Sequence, residues 1–302
     1  RYMSQPVRRC VHRPRTQNNF AIRTTIMTDN LERLRELLAY DAHSRRYQAI
    51  PDFVRDRLGP VAGGYESEQL QWDAPRYAWI DAALPSTLRS SVELGSSLGY
   101  FSLRLAHERE FFVSGFEPVA DYAEASNLFA ALTALGERAQ FHPRGIGIED
   151  VAGLPAADCL ITLNVLHHAG NVFDRDAVTA RGGWHAYAGE FLTRATDRFE
   201  HMIFQTGNSV KGEAHFPSEA AIDTLVPLLE NSGWRVVRLG VITDFADPEY
   251  QSFTASEIDR APRIGCRRNP ETGLVEYRTG GEVVAAFGYG TLQRPLFHCV
   301  RT

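Results

Sequence analysis

From residue 90 onward, patterns typical of strands alternate with patterns typical of helices, and this alternation most constrains the fold. Strand patterns occur seven times, at residues 90–95, 111–116, 139–145, 158–164, 201–206, 234–243 and 295–301. Helical patterns lie among them, at residues 99–108, 119–135, 187–199 and 218–231. Such alternation predicts an α/β fold in which a mostly parallel sheet is covered by helices on both faces.

The composition describes an ordinary globular chain and disfavours some partners. The chain has 302 residues, 44% of them hydrophobic, so it can bury a full core. Its formal charge is −5, whereas nucleic-acid binders usually carry a basic stripe, so a nucleic acid is disfavoured as a partner but stays open. We find no apolar run of roughly 18 residues, so we expect no membrane partner and a cytoplasmic location.

The chain divides into three predicted parts. Residues 1–28 form a basic segment without apolar periodicity, which predicts a flexible arm. Residues 29–85 form a helical appendage or lid, whose aromatic residues Trp72, Tyr77 and Trp79 favour a core role over a lid role. Residues 86–302 form the main α/β domain, with a β-rich insertion at about 245–292.

The stretch VELGSSLGYFSLRLA (92–106) marks the seam between the first strand and its helix. In an open α/β sheet, ligands bind beyond the carboxyl ends of the strands, which places this turn at the ligand site. The dinucleotide pattern GxGxxG is absent, because Glu93, Gly95 and Gly99 form ExGxxxG instead. A carboxylate repels a pyrophosphate but favours an ammonium or a sulfonium, so S-adenosylmethionine is the predicted cofactor.

Three later segments bring suitable side chains to the same edge. Glu117 ends the second strand in FFVSGFEP, where its two oxygens can accept the ribose hydroxyls. Ile148 and Glu149 follow the third strand, where an apolar side chain covers the adenine and an acid accepts from its amine. The fourth strand, DCLITLN, leads into three further polar residues, Asn164, His167 and His168.

On these motifs, the chain resembles the class I S-adenosylmethionine-dependent methyltransferases from about residue 75 to 245. The resemblance within that superfamily is greatest to the tRNA wobble-uridine methyltransferases and carboxymethyltransferases. It implies a Rossmann-like fold with a seven-stranded, mostly parallel sheet, an antiparallel C-terminal edge, an N-terminal helical appendage and a C-terminal β insertion. The implied cofactor contacts are Glu93, Gly95, Ser97, Gly99, Glu117, Pro118, Ile148, Glu149 and Asn164.

Two departures from the family pattern affect the prediction. Ser97 replaces the usual central glycine of the first motif, which we expect the turn to accommodate only if Ser97 avoids positive φ. The carboxymethyl-transferring relatives use basic side chains for the extra carboxylate of their cofactor, and Lys211 is the single lysine of this chain. Ordinary methyl transfer is therefore favoured.

His167 and His168 are the candidate catalytic bases, because an imidazole titrates near neutrality. Neighbours on a loop point in different directions, so we expect at most one of them to face the acceptor. A metal site that also uses Asp174 and Asp176 is disfavoured, since the spacing fits no strong ligand motif, and we predict no metal.

The sequence therefore predicts methyl transfer to a hydroxyl or amine of a small molecule or saccharide in a biosynthetic pathway. A tRNA-modifying methyl- or carboxymethyltransferase and a non-catalytic cofactor-binding protein stay open as alternatives. A homodimer also stays open. Four arginines of the insertion form either an anion-recognising flap or a solvated basic loop: Arg260, Arg263, Arg267 and Arg268.

Overall fold

The computed structural model describes residues 29–38, 48–62, 72–211, 213–288 and 292–302. The predicted arm, residues 1–28, lies outside these ranges. The helices are α1 (29–38), α2 (Asp52–Leu58), α3 (Asp73–Ala83), α4 (Tyr100–Glu108), α5 (Ala120–Leu132), α6 (Arg175–Ala180), α7 (Trp184–Ala195) and α8 (Ala221–Asn231).

Seven of the eight strands of the main sheet start and end within a few residues of the predicted positions, and the eighth covers residues 250–254. The eight strands are β1 (Ser90–Leu94), β2 (Phe112–Glu117), β3 (Ala139–Pro143), β4 (Cys159–Leu163), β5 (His201–Gln205), β8 (Trp234–Ile242), β9 (Tyr250–Thr254) and β13 (Leu296–Arg301). Outside this sheet lie β6 (Ser209–Val210), β7 (Glu213–Ala214), β10 (Gly265–Arg268), β11 (Val275–Thr279) and β12 (Glu282–Phe287).

The main sheet has the order β3-β2-β1-β4-β5-β13-β8-β9. Strands β1 to β5 pair in parallel, whereas β13 is antiparallel to both β5 and β8. This confirms the predicted mostly parallel sheet with an antiparallel C-terminal edge. The sheet has eight strands and not the predicted seven, because residues 250–254 of the insertion pair with β8 as an additional edge strand.

Helices cover both faces of the sheet, as the buried central strands require. The sequences SSVEL of β1 and CLITL of β4 are almost wholly buried, which is typical of strands with a core on each side. Residues of α1 to α5 form one core with the sheet, and residues of α7, α8 and the insertion form the other. Helix α7 contributes an aromatic stripe at helical spacing, made of Trp184, Tyr187 and Phe191.

The N-terminal helices share a core with the sheet. Trp79 of α3 packs over Gly240 of β8, where an added Cβ would lie 2.6 Å from the indole ring. Its Nε1 donates a hydrogen bond to Ser252 Oγ of β9 at 2.8 Å. Trp72 and Tyr77 are also buried, so these aromatic residues belong to the core, as the sequence favoured. The division of the chain at residue 85 stays a prediction.

The C-terminal insertion contains the expected β structure. Strands β10, β11 and β12 form a separate antiparallel sheet. The β11–β12 hairpin turns at Gly280 and Gly281, whose φ angles are 57° and 88°, as a tight hairpin with two left-handed residues requires. The Trp72 ring of the N-terminal segment meets the Phe287 ring of β12 edge to face, so the insertion packs on that segment.

Candidate functional site

The turn between β1 and α4 contains three residues with left-handed backbone. The φ angles are 65° at Gly95, 49° at Ser97 and 75° at Gly99. The turn therefore accommodates a serine at positive φ, and the condition that Ser97 must avoid positive φ is wrong. The Ser97 N–H donates to Glu117 Oε2 at 2.8 Å, which helps to hold this conformation. A Cβ on Gly95 would lie 2.6 Å from Val165 Cγ2, so glycine is needed where the chain after β4 approaches.

Glu117 lies at the carboxyl end of β2, beside this turn. Its Oε1 accepts from the Val119 N–H at 2.9 Å, while Oε2 accepts from Ser97. Burial raises the pKa of Glu117, and the two N–H donors oppose that rise. Each carboxylate oxygen keeps further acceptor capacity, so Glu117 can still receive hydroxyl donors. Pro118 follows it on the exposed surface.

Glu93 lies behind the turn, against α4, with 1% of its surface exposed. Its Oε2 accepts from the N–H of Ser102 at 3.2 Å and from the Ser102 hydroxyl at 2.5 Å. Burial raises the pKa of Glu93 to about 8, and the nearby negative charges of Asp73 and Glu117 add to the rise. Burial also raises the pKa of Asp73 to about 6. A cation bound nearby would favour the ionised form of both groups.

Asn164 follows β4 and turns its side chain toward the antiparallel half of the sheet. Its Nδ2 donates to Gln205 Oε1 at 3.1 Å, and its Oδ1 accepts from Arg294 Nη1 at 2.7 Å. Gln205 Nε2 in turn donates to the Arg294 carbonyl at 2.9 Å and to Tyr250 Oη at 3.2 Å. These bonds join β4, β5, β9 and the segment before β13 into one polar network.

The imidazoles of His167 and His168 lie against each other, with ring centroids 3.9 Å apart and planes inclined by 35°. The expectation that these neighbours point in different directions is therefore wrong. His167 is buried and His168 half-buried, and neither Nδ1 has a hydrogen-bond partner in the described part of the chain. Burial lowers the pKa of both groups, and the positive charge of Arg294 lowers it further.

Helix α7 packs against the segment that carries His167 and His168. The Trp184 ring stacks on His215 at 4.6 Å, and its Nε1 donates to the Leu166 carbonyl at 2.9 Å. His215 Nε2 lies 2.8 Å from the His167 carbonyl oxygen, a distance at which a protonated Nε2 donates a hydrogen bond. The aromatic residues of α7 therefore fix the position of the backbone that carries His167.

The loop after β3 is held by Asp174. Asp174 Oδ2 accepts from the Ile148 N–H at 2.7 Å and from the Tyr187 hydroxyl at 2.5 Å. The Ile148 side chain is buried in the core, whereas Glu149 lies on the surface and pairs with Arg194 Nη1 at 2.8 Å. The use of Ile148 and Glu149 as adenine contacts stays a prediction, and the Glu149 carboxylate is engaged elsewhere.

The predicted residues thus fall into two neighbouring groups along the carboxyl edge. One group, at β1 and β2, contains Gly95, Ser97, Gly99 and Glu117. The other group, at β4 and β5, contains Asn164, His167 and His168. Sequence reasoning missed five polar residues from distant segments that lie near these groups, since no motif marks them: Asp73, Arg76, Gln205, Tyr250 and Arg294.

Two of the insertion arginines are engaged within the protein. Arg263 Nη2 pairs with Asp223 Oδ1 at 2.6 Å, and Arg268 donates to the Gly273 carbonyl. In the described ranges, no group of three or more histidine, cysteine, aspartate or glutamate residues is arranged to hold a metal ion. Among the described helices, none has the length and apolar character needed to cross a bilayer.

Comparison with known proteins gives similarity in structure only. No family model matches the chain, and no curated protein matches it. The kinase-methyltransferase WbdD is similar over 81% of this chain and 52% of its own, at 17% identity and a TM-score of 0.48. Magnesium protoporphyrin IX methyltransferase (ChlM) from Synechocystis PCC 6803, solved with bound SAM, is similar over 90% of this chain and 97% of its own, at 15% identity and a TM-score of 0.45.

A third similar structure is TrmN from Thermus thermophilus, with 13% identity, 82% coverage of this chain, 53% of its own and a TM-score of 0.40. The chain spans between 35% and 52% of the length of three WbdD chains that it matches. WbdD and ChlM are described as methyltransferases in the names of their structures.

Proposed function

We propose that this chain is an S-adenosylmethionine-dependent methyltransferase that acts on a hydroxyl or amine of a small molecule or saccharide in a biosynthetic pathway. The observation that carries the proposal is the position of Glu117 beside the left-handed turn of residues 95–99. The turn follows β1, where the strand order reverses between β1 and β4, and this is the switch point at which open α/β sheets bind ligands. Glu117 ends the adjacent strand β2. Gly95 and Ser97 of the turn are half-buried, and the Glu117 carboxylate can accept ribose hydroxyls.

The buried acids beside the turn favour a cationic cofactor over a dinucleotide. Glu93 and Asp73 repel each other when ionised, which contributes to the raised pKa of Glu93. A sulfonium or ammonium nearby would relieve that repulsion, whereas a pyrophosphate would increase it. The residues present therefore fit S-adenosylmethionine, with Gly95, Ser97 and Glu117 as its proposed contacts.

The bound cofactor supplies an electrophilic methyl group on a good leaving group, so this chain needs mainly to orient the acceptor and exclude water. A neutral imidazole can take the proton of an acceptor hydroxyl or amine. His168 is the better candidate base, because it is half-buried whereas His167 is buried, and its buried Nδ1 has no hydrogen-bond partner in the described structure. His167 behind it would orient its ring through their contact.

The proposal is tested by calorimetric titration of the purified protein with S-adenosylmethionine, S-adenosylhomocysteine and NAD. We expect both adenosyl ligands to bind and NAD to bind far more weakly. Glu117→Gln replaces a charged acceptor by an amide of the same shape, and the loss of a charge-assisted hydrogen bond should weaken adenosyl binding roughly ten- to hundredfold.

Glu137→Gln is the matched control, because Glu137 is exposed and precedes β3. Glu137 therefore lies at the amino ends of the parallel strands, away from the candidate site at their carboxyl ends. The control removes the same charge and should leave adenosyl affinity unchanged. Preference for NAD, absence of adenosyl binding, or equal losses in the two variants would each count against the methyltransferase proposal.

A further inference from the structure

Arg294 is a cation without a counter-ion in the described part of the chain. It lies two residues before β13, and its Nη1 donates to the neutral side chain of Asn164 at 2.7 Å. Its Nε is buried and has no acceptor, and no described carboxylate forms an ion pair with it. A guanidinium in a partly buried position normally has an anionic partner, because removing an unpaired charge from water is costly.

A second arginine lies near enough to repel the first. Arg76 of α3 contacts the Asp73 carboxylate only at 3.4 Å between Nη1 and Oδ1, and its buried Nε also lacks an acceptor in the described structure. Burial and the charge of Arg76 lower the pKa of Arg294 to about 10. The Asp73 carboxylate faces Arg76, and no ion pair in the described structure joins it to Arg294.

The surroundings of Arg294 lie on the acceptor side of the candidate site. A Cβ added to Gly207 would lie 3.0 Å from the Arg294 guanidinium carbon and 2.9 Å from His167 Nε2, so both groups converge over this glycine. Tyr250 and Gln205 complete a neutral, hydrogen-bonding wall beside them. Of the predicted cofactor contacts, Gly95, Ser97 and Glu117 lie at the ends of β1 and β2, whereas Asn164, which accepts from Arg294, follows β4.

We propose that Arg294, with Arg76 as a second cation, is an anion subsite for the methyl acceptor, which therefore carries a carboxylate or a phosphate group. This inference rests on the proposed methyltransferase function. The planar guanidinium presents several donors in a fork that matches either oxyanion, and the histidine pair lies next to it. An anion held here would place the neighbouring part of the same molecule beside His167 and His168.

The test measures binding of inorganic phosphate and, separately, of malonate, at constant ionic strength and in the presence of saturating S-adenosylhomocysteine. The proteins compared are the wild type, Arg294→Gln and the control Arg235→Gln, which removes an exposed positive charge from β8. We expect at least one probe to bind the wild type and the control equally. Binding to Arg294→Gln should be weaker by roughly tenfold or more, because a charge-assisted hydrogen bond is lost.

Thermal unfolding of the ligand-free proteins separates this role from a structural one. Arg294→Gln loses the hydrogen bond to Asn164 Oδ1 but also removes a buried charge that has no counter-ion in the described structure. The two effects oppose each other, so the midpoint of Arg294→Gln should be close to or above that of the wild type. Arg294→Lys keeps the positive charge and should retain part of the anion binding. This variant keeps the proposal testable if Arg294→Gln fails to fold.

The affinity for S-adenosylhomocysteine distinguishes the two proposals. It should be the same in all the variants, whereas an equal loss of S-adenosylhomocysteine and probe in Arg294→Gln would assign Arg294 to the cofactor and overturn the acceptor subsite. Absence of saturable binding of either probe to the wild type would overturn it as well. If the probes bind as expected and S-adenosylhomocysteine does not bind the wild type, the proposed methyltransferase function is the one that fails.

Discussion

Glu93 shows how the interior of this protein changes the chemistry of a single residue. The sequence shows only that Glu93 is an acid near the end of β1. In the structure its carboxyl group is buried and accepts hydrogen bonds from Ser102. Burial and neighbouring acids raise its pKa to about 8, so the folded protein keeps the group largely protonated at neutral pH. A cation bound nearby would favour the ionised form and would therefore change the charge of the Glu93 carboxyl group.

Replacing Glu93 by glutamine should make stability depend less on pH. A carboxyl whose pKa is raised on folding stabilises the fold fully below its unfolded pKa, and this contribution is lost as the pH rises through about 8. Relative to Glu93→Gln, the wild type should lose up to about 1.4 kcal/mol per pH unit between roughly pH 4.5 and 8. Urea unfolding of both proteins near pH 5 and pH 8 measures this, and a constant difference between them would contradict it.

The turn of residues 95–99 is the element on which the candidate site depends. Its three left-handed residues let the chain reverse sharply between β1 and α4. Its Ser97 N–H reaches the carboxylate that ends β2. The close approach of Val165 means that this turn is also shaped by the segment after β4. The element is therefore fixed from three strands at once.

Gly95→Ala should destabilise the protein by about 1 to 3 kcal/mol, because alanine is strained at positive φ and its Cβ would overlap Val165 Cγ2. The double variant Gly95→Ala, Val165→Ala removes the overlap but keeps the backbone strain. It should therefore be less unstable than the sum of the two single variants. Additive losses in a urea-unfolding cycle would show that the two residues do not meet as the structure has them.

Across the whole molecule, burial lowers the pKa of histidines and raises the pKa of carboxyl groups. The two kinds of group therefore affect stability in opposite directions as the pH changes. Five histidines have a lowered pKa, chiefly through burial: His167, His168, His201, His215 and His298. Three carboxyl groups have a raised pKa for the same reason: Asp73, Glu93 and Glu117. The histidines penalise folding in acid, because the unfolded chain takes up their protons, and the carboxyls penalise folding at high pH.

The free energy of unfolding should therefore be greatest at weakly acidic to neutral pH, roughly between pH 6 and 7, and fall on both sides. His298→Gln should reduce the loss on the acid side, because His298 has a pKa of about 4 and glutamine binds no proton. Urea unfolding across about pH 4 to 9 measures both limbs. Stability that rises steadily toward alkaline pH would contradict this balance of charges.

The sequence by itself determined the order of strands and helices. The periodicity that predicts a strand at 90–95 or a helix at 99–108 is set by which side of a local segment is buried, and the structure has β1 at Ser90–Leu94 and α4 at Tyr100–Glu108. It also placed Gly95 and Glu117 at one edge, because carboxyl ends of parallel strands meet there.

Only the tertiary structure decided which way side chains point and which distant residues meet. Asn164 and Arg294 are separated by 130 positions, and no local pattern predicts their hydrogen bond. The contact between the rings of His167 and His168 follows likewise from packing against α7 and its neighbours. The backbone pattern is a local property of the chain, whereas the charge and orientation of a buried side chain depend on every segment packed around it.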